Sequence, residues 1–400
     1  MKVLVLSHMY PSSFNEVGGI FVHEQVRALI EKGVEVRVVS PIPWSPPPIN
    51  CIKGKWRKYS QVPSHQVWDG VEVFYPRYLA FPGAWFFASS GRRMYRGVGE
   101  LVKNIYQEFP FDILHAHVAL PDGYAGVLLA CELKLPLVVS IHGQDLQHTI
   151  YRNAYCRRAL THVFSHASRV ILVSNKLKHL AEKFFDCHDK LAVIPNGVDL
   201  RKVPVPELEG LPEQERKTTF LSVSNLISTK GIDLNLAALQ RLCSKYPWLR
   251  YRVIGDGPLE NKLKEMTASL GLDDYVEFLG RQPHDCVMQY MAECDIFTLP
   301  SWNEAFGVVY VEAMAHGKPV IGCQGEGIED FVEHGKTGML VKPRDVDSLV
   351  EALDFLLSHP EEAKAMGERG RKLVLENYTW EKNAEKTIAV YEDVLKHAGR

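Results

Sequence analysis

The sequence predicts an α/β protein with two domains, each built on a parallel β-sheet. Its 400 residues exceed the roughly 250–300 that one hydrophobic core usually organises, so two domains are expected. Short valine-rich segments recur in two series, and amphipathic segments lie between them. Because continuous apolar strands are typical of sheets covered on both faces, each series indicates a parallel sheet flanked by helices.

The first series opens with a βαβ unit. Residues 2–6 predict a strand, residues 21–32 an amphipathic helix that ends at Gly33, and residues 34–40 a second strand. Further strands of this half are predicted at 112–115, 137–140, 170–174 and 191–195. The second series has predicted strands at 219–223, 251–254, 276–279, 295–300 and 317–322. Two Rossmann-like domains therefore follow one another along the chain.

The linker is predicted at residues 203–217, which are rich in proline and charge and lack periodicity. We therefore expect domains at 1–204 and 217–378, followed by a last segment at 379–400. In open α/β sheets, ligands bind beyond the carboxyl ends of the strands. The site is accordingly expected in the crevice between the two halves, where the motifs below fall.

Composition excludes several classes of protein. Apolar residues make up 46% and charged residues 24%, as in an ordinary globular chain, and the net charge of −2 argues against a general nucleic-acid binder. The eight cysteines are scattered singly, which fits free thiols in a reducing cytoplasm. Residues 1–7 fit a first strand better than a signal peptide, and no run approaches the ~20 apolar residues of a membrane span. A soluble or peripheral protein is expected.

The most informative motif places two glutamates eight positions apart. Residues 295–300 predict a buried strand ended by proline, residues 301–305 a loop, and residues 306–315 a helix. Glu304 would then lie in the loop and Glu312 about two turns along. Surface helices often carry glutamates at such intervals, so the spacing by itself also fits two solvated side chains.

The start of this helix predicts an anion site. The backbone N–H groups of Phe306, Gly307 and Val308 would lack intrahelical partners and point, with the positive end of the helix dipole, at a bound anion such as a diphosphate. The carboxylates of Glu304 and Glu312 suit sugar and ribose hydroxyls, because an ionised acid accepts charge-assisted hydrogen bonds.

Other candidates lie at turns after predicted strands. Gly18 and Gly19 precede the first helix, where glycine lets backbone approach a phosphate, although a plain turn fits equally. Lys230 follows the first strand of the second domain. Its compact positive charge either points into the crevice or is merely solvated. Gly255 caps the next strand in what is locally an ordinary turn.

Histidines cluster after two strands of the first half. His142 ends the strand at 137–140 and is either a structural hydrogen-bonding group or part of a site. His115 and His117 have the spacing of metal ligands, but no third ligand lies close in sequence, so we expect no metal.

Residues 49–108 form a basic, aromatic region. They contain nine Lys or Arg against four Asp or Glu, interleaved with aromatic residues that include Trp56, Tyr59, Trp85, Phe86, Phe87 and Tyr95. Such a surface can lie on anionic lipid headgroups. The alternative is a solvated face with aromatic side chains in the core.

Residues 292–341 resemble the retaining glycosyltransferases often called family 4. The Glu-x7-Glu pair is followed by the family's G-x-P-V strand at 317–322, a loop at 325–330, and residues 335–341. The similarity runs through nearly the whole chain. It implies the GT-B fold, with two Rossmann-like domains facing a central cleft and a last helix, at 379–400, that crosses back to the first domain.

The resemblance also implies residue roles. His142, Lys230 and Glu304 would be catalytic, with His142 near the reacting carbon and the acceptor. The donor would be bound by ten residues: Gly18, Gly19, Asn225, Lys230, Gly255, Glu304, Phe306, Gly307, Val308 and Glu312. Lys230 matches the lysine of the family's R-x5-K phosphate pair, whereas Asn225 stands where the arginine usually is, which removes one charge from the diphosphate site.

The implied activity is transfer of a sugar, with retention, from a nucleoside diphosphate sugar (UDP or GDP) to a hydroxyl, without a metal or another cofactor. A narrower similarity to teichuronic-acid and exopolysaccharide enzymes, through residues 19–26, implies a lipid-linked glycan acceptor for cell-surface polysaccharide. The enzyme would be cytoplasmic, at the inner face of the membrane, with peripheral contact through residues 49–108. Two alternatives remain: a nucleotide-sugar 2-epimerase, and a non-catalytic sugar-nucleotide sensor, which Asn225 would favour.

Overall fold

A computed structural model describes residues 1–47, 54–203 and 218–399. It divides the chain into two compact units: Met1–Asn196 together with the C-terminal segment from Trp380, and Gly197–Thr379. The predicted linker at 203–217 lies outside the described residues apart from Val203. The first unit thus ends at Asn196, ahead of that predicted linker.

The first unit contains a mainly parallel sheet, as predicted. Its strands are β1 (Lys2–Leu6), β2 (Glu35–Val39), β3 (Ile42–Trp44), β4 (His65–Trp68), β5 (Val71–Phe74), β6 (Arg77–Leu79), β7 (Ile113–His117), β8 (Leu137–Ile141), β9 (Arg169–Leu172) and β10 (Leu191–Val193). Eight of them form one sheet in the order β10-β9-β8-β7-β1-β2-β5-β4, and β3 pairs with β6. Only β4 is antiparallel to its described neighbour, β5. This edge hairpin was not predicted.

Helices cover this sheet. They are α1 (Ile20–Glu31), α2 (Gly54–Gln61), α3 (Ser90–Glu108), α4 (Tyr124–Leu133), the single turn α5 (Ile150–Arg152), α6 (Ala154–His166) and α7 (Asn175–Phe184). In α1, Val22, Val26 and Leu29 recur on one face and are fully buried, which is the spacing that predicts the helix. Gly19 and Gly33, both with positive φ, flank it.

The second unit has an entirely parallel sheet in its described pairings. Its strands are β11 (Thr219–Val223), β12 (Arg250–Ile254), β13 (Val276–Gly280), β14 (Ile296–Thr298), β15 (Val320–Cys323) and β16 (Met339–Val341). Their order is β13-β12-β11-β14-β15-β16. Its helices are α8 (Ile232–Leu242), α9 (Glu260–Ser269), α10 (His284–Glu293), α11 (Val308–Ala315), α12 (Val346–Ser358) and α13 (Pro360–Asn377).

Two strands of this unit, β14 and β15, are shorter than predicted. The strand predicted at 317–322 begins only at Val320, because Gly317 adopts a left-handed φ of 70° and ends α11. The amide of Gly317 donates to the carbonyl of Met314 at 2.9 Å, and the amide of Lys318 donates to the carbonyl of Ala313 at 3.1 Å. These bonds satisfy carbonyls at the helix end, so the glycine belongs to the turn rather than to the strand.

The C-terminal helix α14 (Trp380–His397) belongs to the first unit. Gln25 on α1 donates through Nε2 to Asn383 Oδ1 at 2.7 Å, and Lys32 lies 2.7 Å from a carboxylate oxygen of Glu381. The hydroxyl of the buried Tyr391 lies 2.6 Å from His115 Nδ1. Residues far apart in sequence are therefore joined by polar contacts, and those of Gln25 with Asn383 and of His115 with Tyr391 are buried. No helix in the described part of the chain is long and apolar enough to cross a membrane.

Candidate functional site

A cavity of about 390 Å³ in the second unit collects most of the predicted donor-binding residues of that unit. It lies at the carboxyl ends of β11 and β12 and beside the start of α11, the edge where parallel sheets bind ligands. Six predicted residues line it: Asn225, Lys230, Gly255, Glu304, Gly307 and Val308. They come from three separate segments of the chain, which only folding brings together.

Two predicted catalytic residues pair directly in this cavity. The Lys230 ammonium lies 2.6 Å from Glu304 Oε2, and Ser301 donates to the same oxygen at 3.2 Å. Both members of the pair are largely buried, at 22% and 15% side-chain exposure. The Glu304 amide donates to Glu326 Oε2 at 2.5 Å, which orients the loop. The sequence predicted that each residue meets the ligand but not that they meet each other.

The helix that follows begins later than predicted. It starts at Val308 rather than Phe306, because Gly307 has φ 91° and is its N-cap. A Cβ on Gly307 would lie 2.5 Å from the Tyr310 ring, so only glycine fits this turn. Phe306 is buried and packs its ring against Phe331, and it does not line the cavity. Of the three predicted amides, those of Gly307 and Val308 border the cavity.

Glu312 is placed differently from the prediction. Because α11 begins at Val308, Glu312 is its fifth residue and lies little more than one turn from the start, rather than about two turns along. Its Oε1 lies 2.9 Å from His284 Nε2 at the start of α10. The described lining of the cavity does not include Glu312. A ribose role for this carboxylate remains a prediction.

Close packing explains why the turn around Gly255 contains glycines. A Cβ on Gly255 would lie 1.8 Å from the Ser224 carbonyl oxygen, and one on Gly257 would lie 2.6 Å from that of Leu226. The amide of Leu226 donates to the carbonyl of Asp256 at 2.8 Å. The two strand-end loops therefore touch through backbone, and Asn225 is an exposed residue of one of them.

Arg281 is a cavity residue that the sequence analysis missed. It directly follows β13, it is exposed, and it lines the same cavity as Asn225. A signal was present, because Arg281 follows a predicted strand just as Asn225 and Gly255 do. A second cation therefore accompanies Lys230 in a cavity where the asparagine supplies none.

Gly18, Gly19 and His142 lie in the first unit. Gly19 has φ 73°, and a Cβ there would approach the carbonyl of Met9 to 2.3 Å. A Cβ on Gly18 would lie 2.3 Å from the side-chain nitrogen Nδ2 of Asn15. The glycines therefore allow the chain to turn tightly before α1, whatever else they bind.

His142 belongs to a stack of three histidines. Its Nε2 lies 3.0 Å from His117 Nδ1, and His117 in turn stacks on His115 with ring centroids 4.5 Å apart. Burial lowers the pKa of His115 and of His142 to about 3, so these rings are neutral near pH 7. In the described residues, His142 Nδ1 and His117 Nε2 are buried without a hydrogen-bond partner. No group of three or more potential ligands there is arranged to hold a metal.

A second polar cluster near the histidines was not predicted. His8, just after β1, bonds through Nδ1 to the fully buried Asp122, and its amide donates to Asp122 Oδ1 at 2.7 Å. Burial by itself lowers the pKa of His8, but the charge and hydrogen bond of Asp122 outweigh it, so that pKa lies above 6.5. Asp145 accepts from the Ala119 amide at 2.8 Å, and burial raises its pKa to about 7.

The basic, aromatic region at 49–108 separates into two parts. Tyr59 packs edge-on against Phe14, and Trp56 packs against Tyr59. Trp85 and Phe86, by contrast, are among the most exposed apolar side chains described. Lys53, one of the nine basic residues of this region, lies outside the described residues.

Comparisons with known proteins agree with this arrangement. The family model described as Glycosyl transferases group 1 matches residues 207–373, and the model described as Glycosyltransferase Family 4 matches residues 18–202. A Bacillus subtilis (strain 168) glycosyltransferase, provisionally assigned to teichuronic acid biosynthesis, is 29% identical over 88% of each chain. A GDP-mannose-dependent phosphatidylinositol monomannoside mannosyltransferase from Mycolicibacterium smegmatis is 28% identical, over 71% of this chain and 77% of its own.

Solved structures share the fold over the whole chain. Sucrose-phosphate synthase from Thermosynechococcus elongatus has a TM-score of 0.79 at 20% identity, covering 99% of this chain and 100% of its own. HepE of Anabaena, crystallised with UDP, has a TM-score of 0.74 at 18% identity, covering 98% and 100%. The fold is therefore GT-B, with two Rossmann-like domains. The two models together match most of the sequence, and this chain belongs to the family 4, group 1 glycosyltransferases.

Proposed function

We propose that this chain is a retaining glycosyltransferase that moves a sugar from a nucleoside diphosphate sugar, with UDP or GDP as the nucleotide, to a hydroxyl of a lipid-linked glycan. The observation that carries the proposal is the Lys230–Glu304 pair in the cavity beside the start of α11. A cation, a carboxylate and unpaired helix amides within one concave site suit a diphosphate joined to a polyol.

In this proposal the second unit stabilises the leaving group. Lys230 and the amides of Gly307 and Val308 stabilise the charge that develops on the departing diphosphate, without a metal. Arg281 supplies the charge that Asn225 does not. When the diphosphate replaces Glu304 as the partner of Lys230, the Glu304 carboxylate accepts hydrogen bonds from the sugar hydroxyls instead.

The transfer itself needs no ionised side chain as base. The bond between the anomeric carbon and the diphosphate oxygen breaks, the acceptor oxygen bonds to that carbon on the same face, and the departing diphosphate takes the acceptor's proton. His142, neutral because burial lowers its pKa to about 3, acts as a hydrogen-bonding group that positions the sugar and the acceptor. Gly18 and Gly19 let backbone approach the same ligands.

The acceptor is proposed from chemistry and similarity together. Relatives act on differing substrates, and one of those named above takes a phosphatidylinositol glycoside. The basic, aromatic region at 49–108 fits an acceptor presented at the inner face of a membrane. The enzyme would then build cell-surface polysaccharide on a lipid carrier.

A thermal-shift screen against UDP-, GDP- and ADP-sugars, with and without Mg²⁺, tests the donor site. A ligand that binds only the folded state raises the melting temperature. Stabilisation by one nucleotide class that is independent of Mg²⁺ and weaker in Arg281→Gln supports the proposal. No stabilisation by any nucleotide sugar would contradict it. Product from the active donor, analysed by NMR for its anomeric configuration, then tests retention.

A further inference from the structure

A larger cavity of about 740 Å³ lies in the first unit, lined by Tyr124 and by two longer segments of the chain. One is residues 81–92, which we call the aromatic loop, and the other is residues 151–162 on α5 and α6. None of the predicted donor-binding residues lines this cavity. The proposed chemistry therefore does not account for it.

The rim of this cavity carries large apolar side chains that are exposed to solvent. Trp85 is 69% exposed, Phe86 72% and Tyr155 71%, and all three line the cavity. A contiguous set of large exposed aromatics marks an interaction surface, since single exposed apolar residues are common but clusters are not. Tyr and Trp also favour the boundary between water and hydrocarbon.

The aromatic loop is held in place rather than loosely attached. Arg93 donates to the Leu79 carbonyl at 3.0 Å and to the Phe86 carbonyl at 3.3 Å, and Arg152 donates to the Ala84 carbonyl at 2.9 Å. Ala84 and Phe86 both adopt a left-handed φ of 54°, which is unfavourable for residues that carry a Cβ. The loop therefore keeps a strained backbone while Trp85 and Phe86 point away from the core.

The charge of this surface has a single sign. Arg92, Arg152 and Arg158 line the cavity, and no Asp or Glu does so among the described lining residues. In the sequence, neither 81–99 nor 146–181 contains an acidic residue. Arg92 donates through Nε to the Tyr124 hydroxyl at 3.2 Å, which orients its guanidinium at the cavity. Guanidinium groups bind phosphate with two parallel hydrogen bonds.

We propose that this surface docks on an anionic phospholipid bilayer. Trp85, Phe86 and Tyr155 enter the headgroup boundary, and Arg92 and Arg158 bind lipid phosphates. An interface with anionic lipid headgroups favours exposed aromatic side chains together with positive charges. The inference rests on the proposed function in one respect: the lipid-linked acceptor is the reason that the protein would bind a membrane. It also replaces the broad region 49–108 with a defined surface that includes α6.

Vesicle sedimentation of the full chain, without donor or acceptor, tests the docking surface. Wild type is expected to bind vesicles of mixed phosphatidylglycerol and phosphatidylcholine, and much less to pure phosphatidylcholine. Binding should fall about fivefold in Arg158→Gln, as for one cation near a charged surface. It should fall roughly tenfold or more when Trp85→Ser and Phe86→Ser are combined. Trp248→Ser and Lys262→Gln, exposed positions in the second unit, are the matched controls and should bind as wild type does.

A second measurement locates the contact directly. Brominated lipids should quench tryptophan fluorescence in wild type, and Trp85→Phe should bind vesicles while losing most of that quenching. Undiminished binding by the aromatic or Arg158 variants, equal binding to both vesicle types, or binding to soluble polyglutamate but not to vesicles would each overturn the proposal. Because the nucleotide-sugar thermal shift should be unchanged in these variants, a failed docking test and a failed donor site are distinguishable.

Discussion

At the scale of single residues, the pairing of Lys230 with Glu304 makes the cavity chemically specific. A buried carboxylate compensates the ammonium, and both are oriented by neighbouring loops. A diphosphate carries more charge than one carboxylate and would compete for the lysine. In the proposed mechanism, the pair therefore holds a cation where leaving-group charge develops.

Replacing Lys230 with Ala is expected to lower kcat roughly a hundredfold or more, because one preorganised charge at the leaving group is lost. Steady-state kinetics with the donor identified by thermal shift measure this. Lys264→Ala is the matched control, since Lys264 pairs with Glu260 at 2.7 Å on the exposed face of α9. Unchanged kcat in Lys230→Ala would remove the lysine from the mechanism.

Replacing Glu312 with Ala is expected to weaken nucleoside diphosphate binding roughly tenfold, the value of one charge-assisted hydrogen bond to a ribose hydroxyl. Calorimetry with the nucleotide alone checks it. His284→Ala keeps the carboxylate and removes only its protein partner. Equal losses in the two variants, or none in Glu312→Ala, would assign this carboxylate to structure rather than to the ribose.

Asp145 makes a pH-dependent contribution to stability. Burial raises its pKa to about 7 from 3.8, so the native state keeps a proton that the unfolded chain releases, and stability falls as pH rises from about 4 to about 7. Asp145→Asn does not titrate. Its unfolding free energy relative to wild type should therefore rise by up to about 4 kcal/mol across that window and stay level above it. Denaturant unfolding between pH 5 and 8 measures most of this change, and parallel profiles for the two proteins would contradict it.

At the scale of elements, glycine decides where α11 begins. Gly307 combines φ 91° with a Tyr310 ring that leaves no room for a Cβ. Apolar periodicity extends the predicted helix back to Phe306, but the backbone turns at Gly307 and sends Phe306 into the core. The turn is what presents the first amides of the helix to the cavity.

Gly307→Ala is expected to destabilise the second unit by about 2 kcal/mol or more, from the left-handed φ and from the clash together. Gly325→Ala is the control for φ alone, because Gly325 has φ 75° and nothing within 4 Å of its added Cβ. Unfolding curves for both variants separate the two effects. A loss no larger at Gly307 than at Gly325 would mean that the ring moves aside freely.

At the scale of the whole molecule, the C-terminal helix completes the first unit. Helix α14 buries Trp380, Tyr391 and Val394 in the core that contains Val22 and Val26 of α1. The first unit is therefore discontinuous in sequence, whereas the second is a single stretch of chain. The stability of the first unit should therefore depend on α14, although the whole second unit separates this helix from Asn196 in the sequence.

Ending the chain at Thr379 is expected to lower the melting temperature of the first unit by at least about 10 °C, since several buried side chains at about 1.5–3 kcal/mol each are lost. The transition of the second unit should be unchanged. Calorimetry, which can resolve the transitions of separate units, is the measurement. A chain ended at His397 keeps α14 whole and is the control; an unaltered first-unit transition in the longer deletion would refute the dependence.

The sequence by itself determined the α/β class, the two mainly parallel sheets, most of their strands, and the helices α1 and α11, because periodicity and glycine positions are local properties that survive without neighbours. It also indicated Lys230, Glu304 and Gly255, since strand ends of a parallel sheet converge on one edge. Only the tertiary structure decided that Lys230 pairs with Glu304, that His142 stacks on His117, that Arg281 shares the cavity with Asn225, and that Trp85 stays exposed. Each of these depends on contacts or burial set by segments distant in sequence, and no local pattern encodes them.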